Sequence, residues 1–166
     1  MISALTAFAR LGRPEVVKER VALGALIDEV CATTIHDYTD RFPRFHVPEP
    51  VPDVIGDPAL LEVALSAVVH NAILFSPTNP PRVDITWEHV DGWIALTITD
   101  HGMGIDTHGL ERIFEMFSRL NKRHAEGLGV GLPMAKRAVT LQGGEVTVSS
   151  EVNVGTRVTM RLRATN

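Results

Sequence analysis

The residues most able to do chemistry lie in two glycine-punctuated stretches and one buried helix. The heptapeptide "DHGMGID", residues 100–106, has an aspartate at either end and glycines on both sides of a methionine. It follows "WIALTITD", Trp93 to Asp100, whose alternation reads as a strand. An acid at a strand end, followed by a turn nearly without side chains, fits two arrangements. One is a tight surface turn. The other is a carboxylate presented to a ligand that the backbone must approach closely. The second stretch, "GLGVGL", spaces Gly127, Gly129 and Gly131 ahead of a helix. Free N–H groups and the positive end of a helix dipole would suit an anion there. It is not a Walker loop, because no GK[ST] ends it, and it does not follow a strand as a dinucleotide fingerprint should. The third feature is Asn71 in "ALLEVALSAVVHNAILF". A buried amide without partners costs about 1–3 kcal/mol, so Asn71 either bonds to neighbouring backbone or offers its oxygen to a hard divalent cation. His70 beside it poses the same choice between a satisfied helix-end histidine and a metal or phosphate contact.

These residues need elements to hold them. The apolar helix carrying Asn71 starts cleanly, with Asp57 as its N-cap and Pro58 at its first position. It is hydrophobic nearly all round, as a helix buried between layers must be, and "SPTNPP" ends it. Two strands, "RVDITWEHV" and "WIALTITD", are joined by Asp91 and Gly92. A short helix near "GLERIFEMF" and the polar run "SRLNKRHAE" follow. The helix after "GLGVGL" is closed by Gly143 and Gly144. "EVTVSSE" and "TRVTMRLR" then form a hairpin around "VNVGT". Upstream, "ERVALG" reads as a short strand and residues 24–39 as a helix. The Pro-rich "FPRFHVPEPVPDVIGDP" has room for one more short strand. Residues 1–13, with Leu5, Phe8 and Leu11 at near-helical spacing, read as the end of a helix stopped by Gly12 and Pro14. The order of elements predicts a two-layer α/β sandwich with mostly antiparallel strands.

Composition narrows the function classes. A chain of 166 residues, 45% hydrophobic and 22% charged, suits one ordinary globular domain. Its net charge of −4 argues against broad attraction to nucleic acid or anionic membranes. The one cysteine, Cys31, lies on an apolar-periodic helix and reads as a small buried hydrophobe, so a reducing cytoplasm is the expected setting. No run reaches the length of a membrane span, and the N-terminus lacks a cleavable signal pattern.

Asn71, "DHGMGI", "IFEMF", "GLGVGL" and the late Gly155–Thr156 occur in that order over residues 21–163. The series resembles the Bergerat-type ATP-binding fold, and within it the catalytic ATP-binding domain of sensor histidine kinases. The pieces look like the N box, G1 box, F box, G2 box and terminal GT turn of that family. The resemblance implies a mixed, mostly antiparallel sheet of about five strands covered on one face by three helices. It also implies ATP and Mg²⁺ as ligands. Asp100 would accept a hydrogen bond from the exocyclic amine of adenine, and an ionised carboxylate, which only accepts, would refuse guanine. Gly102 and Gly104 would let the chain pass close to the purine, Ile105 would join the nucleotide-binding residues, and Thr156 would support the adenine. Asn71 would hold Mg²⁺ between phosphates, with His70 as a second candidate. Gly127, Gly129, Gly131 and Leu132 would receive the phosphates. The run between the F and G2 boxes would be a lid, expected to close over a triphosphate through Arg119, Lys122 or Arg123.

The sequence departs from the family at several points. Ala67 stands where many relatives have an acid or amide one turn before the asparagine, and Leu74, followed by Phe75, where many have a phosphate-contacting lysine. Free ATPase activity should therefore be poor. Of seven histidines only His36, in "HDYTDRFP", is followed by an acid, and no proline stands where the family's phosphoacceptor pattern requires one. Residues 1–20 are expected to be the tail of a phosphoacceptor hairpin plus a linker, and 21–163 the catalytic domain. The expected partners are that hairpin in the parent kinase and a downstream response regulator. Direct membrane contact is not expected, and this segment alone should be monomeric. The competing reading is a degenerate nucleotide-binding or protein-interaction module without kinase activity.

Overall fold

Alternation along the strands and an all-round apolar helix dictate which surfaces can meet. In the computed structural model, which describes residues 15–115 and 130–165, inward-facing Val83 and Ile85 of β4 (Arg82–Val90) are buried. So are Ile94, Leu96 and Ile98 of β5 (Trp93–Asp100), and Val158, Met160 and Leu162 of β7 (Gly155–Ala164). Side chains of period two thus line one face of a sheet. β4 and β5 form a hairpin whose turn residues, Asp91 and Gly92, have φ of 49° and 79°, the double positive-φ geometry of a two-residue hairpin turn. β5 pairs with β7 along nearly its whole length. The far edge of β7 is shared between β6 (Glu145–Glu151) and β3 (Val54–Gly56). β1 (Glu19–Val21) extends the sheet beyond β3, and β2 (Arg44–His46) extends it beyond β4. Among the described residues, all pairings are antiparallel except β2 with β4.

Among the described residues the sheet therefore has seven strands rather than about five. The surplus comes from three-residue strands, too short to show a period of two in the sequence. The expected boundary at residue 20 also falls inside the sheet. Glu19 and Arg20 are registered with Gly56 and Ile55, and the Val17 N–H donates to Asp57.

Helices cover the apolar face. α1 (Leu23–Asp37) buries Leu23, Ile27, Val30, Cys31 and Thr34, one stripe at helical spacing. Burial, with the Asp28 carboxylate nearby, pushes the Cys31 thiol up to about 12, so it packs as an inert hydrophobe. α2 (Pro58–Leu74) runs between α1, α4 (Gly131–Leu141) and strands β4 and β5, which explains its lack of a polar face. Asp57 caps it, accepting from Ala59 and Leu60 at 3.0 and 3.2 Å. α3 (Thr107–Arg112) begins two residues before "GLERIFEMF" because Asp106 accepts from the Gly109 N–H at 2.7 Å and caps it there. Phe114, just past α3, packs under the Lys136 ammonium of α4, 4.3 Å from the ring centre. α4 ends where Gly143, at φ 87°, and Gly144 return N–H groups to Thr140 and Val139, the glycine C-cap read from the sequence.

Candidate functional site

Where β5, β7 and β6 end together, register puts three polar side chains in a row: Asp100, Thr156 and Ser150. Asp100 is buried. Its Oδ1 accepts from the Gly102 N–H at 2.8 Å and the Thr156 N–H at 3.1 Å. The Asx-type bond to Gly102 starts the turn, and the bond to Thr156 locks it to the neighbouring strand. Both bonds fall on one oxygen. Oδ2 accepts nothing from the described residues. Burial pushes the Asp100 carboxyl above the usual carboxylate range, partly offset by those two N–H groups and by His101.

Two glycines permit this packing. A side chain at Gly102 would stand 2.8 Å from Asp100 Oδ1 and from the Phe75 carbonyl. Gly104 has φ 69°, and a β-carbon there would collide with the Glu151 backbone. The Met103 N–H reaches Phe75 O at 3.4 Å and the Asn153 N–H reaches Met103 O at 2.8 Å. The glycine turn is thus clamped between the end of α2 and the β6–β7 turn. Ile105 follows, its N–H donating to Ser150 Oγ at 2.8 Å.

Asn71 lies one turn before the end of α2 and is half-buried. The N-terminus of α4 stands against the same stretch: a β-carbon at Gly131 would lie 3.6 Å from the Ala67 carbonyl. Leu132 is buried in the first turn of α4. Asp100, Gly102, Gly104, Ile105 and Thr156 are thus brought together at the strand ends. Gly131 stands against α2 one turn before Asn71. His70 turns to α1 instead. Its Nδ1 shares a hydrogen bond with Tyr38 Oη at 3.2 Å, and its Nε2 is 3.8 Å from Asp37 Oδ2. Burial holds the His70 imidazole below its ordinary value against the pull of Asp37. Arg119, Lys122, Arg123, Gly127 and Gly129 lie outside the described residues, as do residues 1–14 with the expected helix tail.

Two contributors escape sequence reading. Arg41 donates to the carbonyls of Ile73 and Ser76, both at 2.7 Å, and of Thr78 at 3.0 Å, fastening the end of α2. Nothing in "DRFP" points to carbonyls over thirty residues away. Ser150 is the other, a serine in a strand run whose only signal is its register opposite Thr156.

A model of the family described as histidine kinase-, DNA gyrase B-, and HSP90-like ATPases matches residues 56–166. The chain belongs to this family. Among curated relatives, the sensor protein CreC of Escherichia coli strain K12 is 32% identical over 98% of this chain and 34% of its own length. The sensor-like histidine kinase SenX3 of Mycolicibacterium smegmatis is 35% identical over 66% of this chain and 29% of its own. The chain thus spans about a third of these relatives. Among solved structures, the mycobacterial sensor histidine kinase MprB superposes with TM-score 0.78 at 30% identity, covering 89% of this chain and 98% of that one. ShkA, solved in complex with AMPPNP, shares the fold with TM-score 0.79 at 24% identity, over 97% of this chain and 35% of its own. The ATPase domain is of the sensor histidine kinase kind, with a mixed α/β architecture to match. Among the described residues no helix is long and apolar enough to cross a membrane.

Proposed function

We propose that this ATPase domain binds ATP with Mg²⁺ and donates the γ-phosphoryl group to a histidine on a phosphoacceptor hairpin elsewhere in the parent protein, with a response regulator as the next acceptor. Asp100 reads the adenine amine through Oδ2, Thr156 supports the same edge, and Gly102, Gly104 and Ile105 line the purine. Gly131 and Leu132 open the helix that faces the phosphates. The carrying observation is the Asp100 carboxylate, with one oxygen fixed by two backbone N–H groups and the other left to accept.

The described residues contain no cluster of three or more His, Cys, Asp or Glu side chains that could hold a metal. A magnesium ion beside a nucleotide keeps several waters and takes few protein ligands besides the phosphate oxygens. Asn71 would be such a ligand, and the ion would neutralise phosphate charge. His70, engaged with Tyr38 and Asp37, is left out of that shell. Ala67 offers no group to take a proton from water, so the domain positions a triphosphate without promoting its hydrolysis.

Asp100→Asn tests the adenine assignment. The two N–H donors require an oxygen at the Oδ1 position, so the new NH₂ must occupy the place of Oδ2 and meet the adenine amine donor to donor. Calorimetry with ADP should show an affinity loss of about 1.5–3 kcal/mol, roughly ten- to a hundredfold in Kd, with the fold unchanged by circular dichroism. Unaltered ADP affinity would refute the assignment.

A further inference from the structure

Between the glycine turn and the Gly155–Thr156 turn stands a hydroxyl that neither motif includes. Ser150 Oγ lies 2.8 Å from Ile105 N, 2.8 Å from Gly155 O and 2.9 Å from Thr156 Oγ1. Counting protons fixes the direction of each bond. The Ile105 N–H can only donate, so Ser150 accepts there. The Gly155 carbonyl can only accept, so the single serine proton goes to it. The third bond must then use the proton of Thr156. That leaves Thr156 Oγ1 with lone pairs alone for anything else that faces it. Asp100, whose Oδ1 is bonded to the Thr156 backbone N–H, presents lone pairs alone at Oδ2 when ionised.

We propose that Ser150 is a positioning residue that sets the base specificity of the site: by holding the Thr156 proton it makes that hydroxyl an acceptor, so the site meets position 6 of a purine with acceptors only. The inference rests on the reading that Asp100 and Thr156 face the purine. A 6-amino group then finds acceptors for its protons, directly or through water. A 6-oxo group meets lone pairs unless the Thr156 hydroxyl turns, and turning it breaks the 2.9 Å bond to Ser150. Remove the serine hydroxyl and the threonine proton is free to swing toward a 6-oxo group. Sites built around hydrogen-bond direction discriminate by just such mispaired groups.

The test compares ADP with inosine diphosphate, which differs only at the purine edge, by calorimetry on the wild-type chain and on Ser150→Ala, Ser150→Cys and Ser150→Thr. Wild type should favour ADP. In Ser150→Ala, ADP binding should weaken while inosine diphosphate binding holds or improves, so the preference falls about tenfold. Ser150→Cys keeps the shape with a weak donor and should move the same way, which covers the case in which the alanine variant does not fold. Ser150→Thr, retaining a hydroxyl, should restore the preference. A loss shared equally by both ligands, or an unchanged preference in the alanine and cysteine variants, would mean that Ser150 only packs. Asp100→Asn run alongside separates the layers. If it loses ADP binding while Ser150→Ala keeps its preference, the serine role fails and the adenine assignment stands. If Asp100→Asn binds ADP as wild type does, both fail.

Discussion

A single carboxylate carries two opposed demands at the candidate site. Ionised, Asp100 would be the acceptor that the proposed adenine site requires; buried, it resists ionisation, and its folded value lies above the ordinary 3.8. An acid with a raised folded value binds more protons in the native than in the unfolded state between those two values. Stability from this group is therefore fully present below 3.8 and is lost as pH rises through the folded value. Asp100→Asn keeps an oxygen for the two N–H donors but cannot ionise. The melting temperature of wild type minus that of Asp100→Asn should fall as pH is raised from 3.8 and then level off. A flat difference across that range would show that burial does not oppose the charge. Asn71→Ala probes the neighbouring role: it should weaken ADP binding measured with Mg²⁺ while leaving adenosine binding nearly untouched. Equal losses on both ligands would count against a metal contact.

At the scale of elements, the site depends on where α2 stops. Its first turn is fixed by Asp57, which caps Ala59 and Leu60 and also takes the Val17 N–H at 3.1 Å. Its last turn is fixed from outside by the Arg41 guanidinium, spread over the carbonyls of Ile73, Ser76 and Thr78. The carbonyl of Phe75, between those of Ile73 and Ser76, touches the glycine turn through the Met103 N–H. Arg41→Ala should therefore cost about 1.5–3 kcal/mol of stability, the range for hydrogen bonds to a charged donor, and should also loosen ADP binding although Arg41 is placed on no ligand. Arg41→Lys keeps the charge without the planar fork and should recover only part of the loss. Urea titration of the three proteins measures the first effect, and unchanged stability in the alanine variant would remove Arg41 from the support of the site. This also explains what could be read from the sequence. Caps, glycine turns and period-two strands declare themselves within a few residues, so Asp57, Gly92, Gly143 and the acid–glycine turn were legible. Arg41 and Ser150 act through partners 32 to 37 and 45 residues away in sequence, and only the sheet register and the path of the loop reveal them. Of the three-residue strands, β1 is legible in "ERVALG", but the Pro-rich passage holds two, β2 and β3, where the sequence suggests one, because three residues fall short of any period. His70 looked available because it neighbours Asn71, but one step along a helix turns a side chain about 100°, here onto Tyr38.

At the scale of the whole molecule, the proposed transfer needs an acceptor histidine beyond the residues placed at the site. None of the seven histidines stands in the phosphoacceptor pattern, and His36 lies exposed on α1, within the layer that covers the sheet. Phosphoryl transfer needs chiefly positioning and charge stabilisation, so a properly oriented imidazole can react where unoriented water does not, and Ala67 provides nothing to activate water. The two rates should therefore separate. With the phosphoacceptor hairpin of its own parent protein supplied as a second chain, radiolabelled ATP and Mg²⁺ should label the hairpin through an acid-labile bond, as a phosphohistidine requires. Free phosphate should appear far more slowly, and Asp100→Asn should weaken the labelling in step with its loss of ADP affinity. If the wild-type chain binds ADP yet leaves the hairpin unlabelled, the domain has kept its nucleotide site without the transfer, and Ala67 and Leu74 become marks of lost catalysis. If free phosphate is released as fast as the hairpin is labelled, a group other than residue 67 must be activating water.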